Sequence, residues 1–133
     1  TEIYTLSLHD ALPILENPLD GQTIPLILIG GAIKQPLVID TYASQIDIAA
    51  TLLAQLGLPH DEFTFSKNIL NPGSPHFAYF TRPDYFGMIT ADNQLVYNLD
   101  ANTVQLDEGT AKGANLEKGK AFLQKLYDDL AKR

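Results

Sequence analysis

The chain has no cysteine, few basic residues and no long uninterrupted apolar run. Without cysteine there is neither a disulfide framework nor a thiolate metal site, and the lack leaves the compartment open. Lysine and arginine number 9 against 16 aspartates and glutamates, for a net charge of −7. Nucleic-acid binding needs a basic stripe to neutralise phosphates, so that class is set aside. The longest apolar stretch, 24–33, is interrupted by Pro25, Gly30 and Gly31. It falls far short of the ~20 apolar residues of a membrane span. Repeats, low-complexity tracts and a signal-peptide pattern are also missing. At 133 residues the chain is one domain or a piece of one.

What is there begins with an anomaly. Residues 1–14, TEIYTLSLHDALPI, resemble over their whole length the forward translation of a short-read sequencing adapter, and Leu15 fits the junction codon. They are expected to be non-native, so fold reasoning starts at Leu15, and whatever chemistry preceded it is expected to be missing.

Residues 15–22 read as a polar approach loop with Pro18, Asp20 and Gly21. The isoleucine-rich run 24–29, ended by Gly30-Gly31, reads as a strand buried on both faces, the kind found in parallel sheets covered by helices. Leu37-Val38-Ile39 is a weaker second candidate. Residues 44–56 read as a helix with Ser44 as N-cap and Asp47 completing an approximate capping box. Ile46, Ala49, Ala50, Leu53 and Leu56 line one face, widened by Ile48 and Leu52, so the helix is expected to be buried. Gly57 supplies the left-handed stop and Pro59 prevents continuation. After a polar connection with an Asn71-Pro72-Gly73 turn, the pattern changes. An aromatic strand at 76–81, a hairpin of 86–90 and 95–99 around a four-residue loop, a turn at 100–102 and a strand at 103–106 form an antiparallel meander with one wet face. An amphipathic helix at 115–131 closes the chain. Its stripe is Leu116, Leu123, Leu126, Tyr127 and Leu130, with Phe122 at the edge. Gly119 inside it costs roughly 1 kcal/mol relative to alanine, through either a close contact or plain tolerance.

The stretches Ile24-Pro25-Leu26-Ile27-Leu28-Ile29-Gly30-Gly31 and Ser44-Gln45-Ile46-Asp47-Ile48-Ala49-Ala50-Thr51-Leu52-Leu53-Ala54-Gln55-Leu56-Gly57 resemble the alkaline phosphatase/sulfatase superfamily, more narrowly its lipoteichoic-acid-synthase-like sulfatases. The Asn68-Ile69-Leu70 loop, the strands through Met88 and Tyr97 and the final helix are similar to that family's small C-terminal subdomain. The resemblance implies a threonine or modified cysteine that attacks phosphorus or sulfur, with one or two divalent cations (Mn, Mg, Zn or Ca) polarising the ester. It also implies a membrane-anchored parent with its catalytic domain outside the cytoplasm. In that branch the transferred group is phosphoglycerol from a lipid head group. The family's last metal ligands lie in an Asp-His-Gly segment shortly before the buried strand, where this chain carries its adapter-like run. No Asp-His-Gly occurs here, so no catalytic position carries over.

Several residues invite a chemical role. His9-Asp10 looks like a reversed metal pair but belongs to the adapter-like run. His60-Asp61-Glu62 sets three ligand types side by side, yet neighbouring side chains diverge, as in a solvated loop. His76 opens a strand and reads as structural. Gly30-Gly31 lacks the pattern of a phosphate loop, and turn geometry suffices. Asp47 is expected to satisfy helix amides. Thr51 has no base nearby in sequence. Tyr79, Phe80, Tyr85 and Phe86 could stack on a ligand but suit cross-strand packing.

The expected architecture is α/β: the end of an alkaline-phosphatase-like domain at 15–72, then a small antiparallel subdomain with its long helix at 73–133. The expected function is that of a piece of a metal-dependent phosphotransferase or sulfatase-type hydrolase. The piece itself is expected to be inactive, with no catalytic, cofactor or metal residue of its own. Its partners would be the rest of its catalytic domain and, in the parent, a phosphate or sulfate ester and the membrane. The alternative is a free-standing α+β binding or assembly module. Bare apolar flanks on 24–29 and on the 44–56 helix would favour the first reading; flanks covered by the chain itself would favour the second.

Overall fold

The computed structural model describes residues 17–30 and 35–133. The adapter-like run, Leu15 and Gly31 lie outside the described residues. The chain divides between Ile39 and Asp40 into two units.

In the first unit, residues 17–22 form the expected turn. Asn17 accepts the Asp20 amide on its carbonyl at 3.0 Å and the Leu19 amide on Oδ1 at 2.9 Å, the local bonding that suits asparagine to turns. The segment 24–29 departs from expectation. It belongs to no sheet among the described residues, and Ile27 and Ile29 are 52% and 59% exposed. Leu37 and Val38 are barer still. A strand exists by pairing, and no described segment pairs with this one.

The second unit is α/β, with a four-stranded antiparallel sheet and two helices. It runs α1 (Asp47–Gln55), β1 (Ala78–Thr81), β2 (Tyr85–Ile89), β3 (Gln94–Asn98), β4 (Thr103–Glu108) and α2 (Leu116–Leu130), with spatial order β1-β2-β3-β4. Alternation places Tyr79 opposite Met88, Phe86 opposite Tyr97 and Met88 opposite Leu95. These side chains share one face and form the core with Leu123 of α2. The other face is not simply wet. Gly87 and Val96 are buried there, because the Phe80 ring lies across Gly87 where a Cβ would stand. The solvated strand is the edge strand β4, whose register slips between Val96 and Tyr97, a bulge.

The helix α1 starts later and faces differently than its sequence suggests. Its N-cap is Ile46, with no side-chain cap. The inward residues are Asp47, Ala50 and Thr51, while Ile46 and Leu56 are exposed. Spacing i, i+3, i+4 still sets the face, but two polar residues hold it. At the other end Gly57 has φ 68°. The Leu58 and Gly57 amides donate to the Leu53 and Ala54 carbonyls at 2.9 and 3.1 Å, a Schellman stop that glycine makes at no steric cost.

The start of α2 is sewn to the β2–β3 hairpin. Asn115 precedes α2 but does not cap it. Its Nδ2 instead donates to the Met88 carbonyl, Thr90 Oγ1 and the Asn93 carbonyl at 3.2, 3.1 and 2.6 Å. Asn93 answers by accepting the Asn115 amide on Oδ1 at 3.0 Å. Further along α2, Tyr127 and Leu130 are mostly exposed.

Candidate functional site

The densest polar chemistry among the described residues sits beneath α1. Asp47 is 1% exposed, and its carboxylate takes four hydrogen bonds. The Ser44 amide donates to Oδ2 at 2.8 Å and the Lys67 amide to Oδ1 at 2.9 Å. Lys67 Nζ straddles both oxygens at 2.9 and 2.8 Å. The Ser44 amide bond is half of the expected capping box. The other half is absent because Ser44 Oγ turns away to accept the Tyr79 amide of β1 at 2.7 Å. The helix amide of Ala50 is served instead by Ser66 Oγ at 2.9 Å.

Thr51, one turn on, completes the cluster. Its hydroxyl donates to the Asp47 carbonyl at 2.6 Å and accepts the Ile69 amide at 3.1 Å. The face of Lys67 Nζ away from Asp47 lies 3.9 Å above the centre of the Phe77 ring. Carboxylate and ammonium are thus both largely withdrawn from water and both fully engaged. Such a pair contributes little relative to an apolar substitute, but losing one partner costs about 3–5 kcal/mol.

The arrangement positions the backbone. Among the described residues the Thr51 hydroxyl is engaged by backbone groups and the Asp47 carboxylate by four donors. Asp47 and Thr51 fasten the connection 58–77 onto α1, and Ser44 ties the segment before α1 to β1. Two members, Ser66 and Lys67, were not legible in sequence, since a serine and a lysine in a polar connection carry no periodic signal. Asp47 had been expected to satisfy helix amides, and one of its four bonds, to the Ser44 amide, does so.

The other tempting residues stand apart. Asp61 and Glu62 are exposed beside the half-exposed His60, and His76 is partly buried before β1. Among the described residues no three His, Asp or Glu side chains converge to hold a metal. The described residues therefore offer no converging donor set for the divalent ion that the sulfatase resemblance implies. The aromatics pack on each other: Tyr79 stacks on Phe86 at 5.9 Å, Phe80 meets Tyr85 edge-on at 6.2 Å and Phe86 meets Tyr97 at 5.6 Å.

Three groups among the described residues have displaced acidities: Tyr79, Asp107 and Arg133, the last raised by its hydrogen bond to Asp129. The Tyr79 hydroxyl is buried with no hydrogen-bond partner among the described residues. Burial, reinforced by the neighbouring Tyr127, pushes its phenol well above the ordinary 10.0. The Asp107 carboxyl is held below its usual range by the Gly113 amide and then by Asn93 Nδ2, which donate to it at 3.0 and 2.7 Å. That contact pins the loop before α2.

An open apolar groove of about 280 Å³ runs along the end of α2, lined by Phe65, Thr81, Leu126, Tyr127 and Leu130 among others. No helix among the described residues is long and apolar enough to cross a membrane. Comparison with protein-family models, with curated proteins and with solved structures returns no match.

Proposed function

We propose that this chain is the C-terminal part of the catalytic domain of a metal-dependent phosphotransferase or hydrolase of the alkaline phosphatase/sulfatase superfamily. The reading is of the lipoteichoic-acid-synthase-like branch, acting on phosphate or sulfate esters. Catalytic and metal-binding residues lie upstream of Leu15 in this reading, on a membrane-anchored parent whose catalytic domain is extracytoplasmic. One observation carries it. Leu26, Ile27 and Ile29, the run 37–39, and Ile46 and Leu56 at the two ends of α1 are exposed apolar side chains. Uncharged, isoleucine-rich segments with exposed apolar flanks suit burial between further strands and helices. The helix motif at 44–57 resembles that of the family, in which such neighbours occur.

The test is the uncontaminated upstream gene. It should read an Asp-His-Gly shortly before codon 15 and a threonine nucleophile further upstream. The protein made from it should cleave phosphodiester or sulfate esters only with a divalent cation, whereas the present chain titrated with Mn²⁺, Mg²⁺ or Zn²⁺ should not. Turnover by the present chain, or an upstream frame lacking those residues, overturns the proposal.

The second reading, a binding or assembly module, is favoured by the apolar groove along α2. It predicts a chain that is fully folded and monomeric without any upstream segment.

A further inference from the structure

We propose that α1 opens away from the connection 58–77 while the sheet and α2 stay folded, and that the Asp47–Lys67 ion pair is the latch that keeps α1 closed. The inference holds whether or not the chain belongs to a larger catalytic domain.

Three observations carry it. First, the main core draws its side chains from the sheet, from α2 and from Phe77; no residue of α1 enters it. The α1 unit has its own small buried set, Ala50, Thr51, Asp47 and Ile69. Two packings that share few side chains can melt at different free energies.

Second, the α1 end meets β1 through a nameable bond, whereas the connection is anchored on α2. Ser44 Oγ accepts the Tyr79 amide at 2.7 Å. Phe65 and Phe77 each meet Phe122 of α2 edge-on, with centroids 5.6 Å apart.

Third, Lys67 is the node. Its ammonium binds both oxygens of Asp47 on α1 and at the same time sits on Phe77, which leads into β1. Its own amide also donates to Asp47. Removing the ammonium leaves a buried carboxylate without its countercharge, and the cheapest relief is to swing α1 outward into water. The sheet and α2 need not unfold for that to happen.

Amide hydrogen exchange on the full chain tests this. The reporters are the amides of Ala50, Ile69 and Tyr79, held by Ser66, Thr51 and Ser44. The reference is the β2–β3 ladder. Lys67→Met keeps the stem that covers Phe77 and deletes the charge. It should speed the reporters by roughly a hundredfold to a few thousandfold, the range expected for a broken buried pair, and leave the ladder unchanged. Adding Asp47→Asn should recover part of the loss, because the stranded charge is then gone. Equal acceleration of reporters and ladder would mean one cooperative unit; unmoved reporters would mean no latch. Should the variant fail to fold, the unaltered chain decides. In low guanidinium its reporters should exchange through an opening with a shallower denaturant dependence than the ladder, and equal dependence overturns the proposal.

Discussion

Gly119→Ala sets two physical effects against each other, and the structure decides which wins. On propensity alone the change stabilises, since glycine inside a helix costs about 1 kcal/mol relative to alanine. But Gly119 is buried in α2 against Phe86. A Cβ there would overlap Phe86 Cε2, with Cζ and Cδ2 only 3.1 and 3.2 Å away. The ring cannot step aside. Phe86 is fully buried, with Tyr79 stacked at 5.9 Å and Tyr97 at 5.6 Å. The helix must lift instead, loosening Leu123 from the same core. Overpacking of this kind costs typically 1–3 kcal/mol, and an overlap with a locked ring belongs at the upper end. The net expectation is a loss of about 2 kcal/mol after the propensity gain. For a unit of this size that lowers Tm by roughly 10 °C. Thermal unfolding followed by circular dichroism reads it. Phe86→Leu makes room for the methyl, so the double variant should lose less than the sum of the singles. A Gly119→Ala chain that melts higher than the parent would refute the reasoning, because α2 would then not be pressed onto Phe86.

Other outcomes follow from the same structure. Tyr79→Phe deletes a buried, unpartnered hydroxyl and should stabilise by about 1 kcal/mol in urea unfolding. The raised Tyr79 phenol contributes stability that is fully present below pH 10 and lost as pH rises toward its folded value. The variant should therefore also flatten the alkaline limb of the stability profile, and an unchanged limb would rule that out. Asn115→Ala strands the Met88 and Asn93 carbonyls and should cost about 2–3 kcal/mol, more than a lost cap alone; a loss under half of that would show the sewing of α2 to be dispensable. The run 26–29 is uncharged and bare, a composition that pairs with other chains. Ile27→Asp should reduce concentration-dependent scattering of the isolated chain without changing its Tm, and unaltered scattering would place self-association elsewhere.

Much of the second unit was legible because local rules agreed with one another there. The meander was visible in the turn residues at 91–94 and 100–102 and in the aromatic strands between them. The structure shifts strand ends by a residue or two, the usual uncertainty where boundary hydrogen bonds fray. Gly57 stopped α1 as a left-handed glycine should. The polar cluster under α1 was only half legible. Asp47 and Thr51 lie on one helix face by spacing, but Lys67, which meets Asp47, and Ser66, which accepts the Ala50 amide, are 20 and 16 residues from those partners, and nothing in a lone lysine says what it will meet.

By itself, then, the order of residues determined the local vocabulary of this protein: where helices stop, where strands turn and which side chains share a face. Those outcomes depend on neighbours within a few positions, through backbone sterics and side-chain spacing. Tertiary structure alone decided which face goes inward and what a polar residue does there. It turned α1 so that a carboxylate rather than an isoleucine points in, bent Ser44 away from its own helix toward β1, laid Phe80 over Gly87 and set Gly119 against Phe86. Each is a contest between burial, hydrogen bonding and crowding among residues far apart in the chain, and such contests are settled only when the folded chain brings the competitors together.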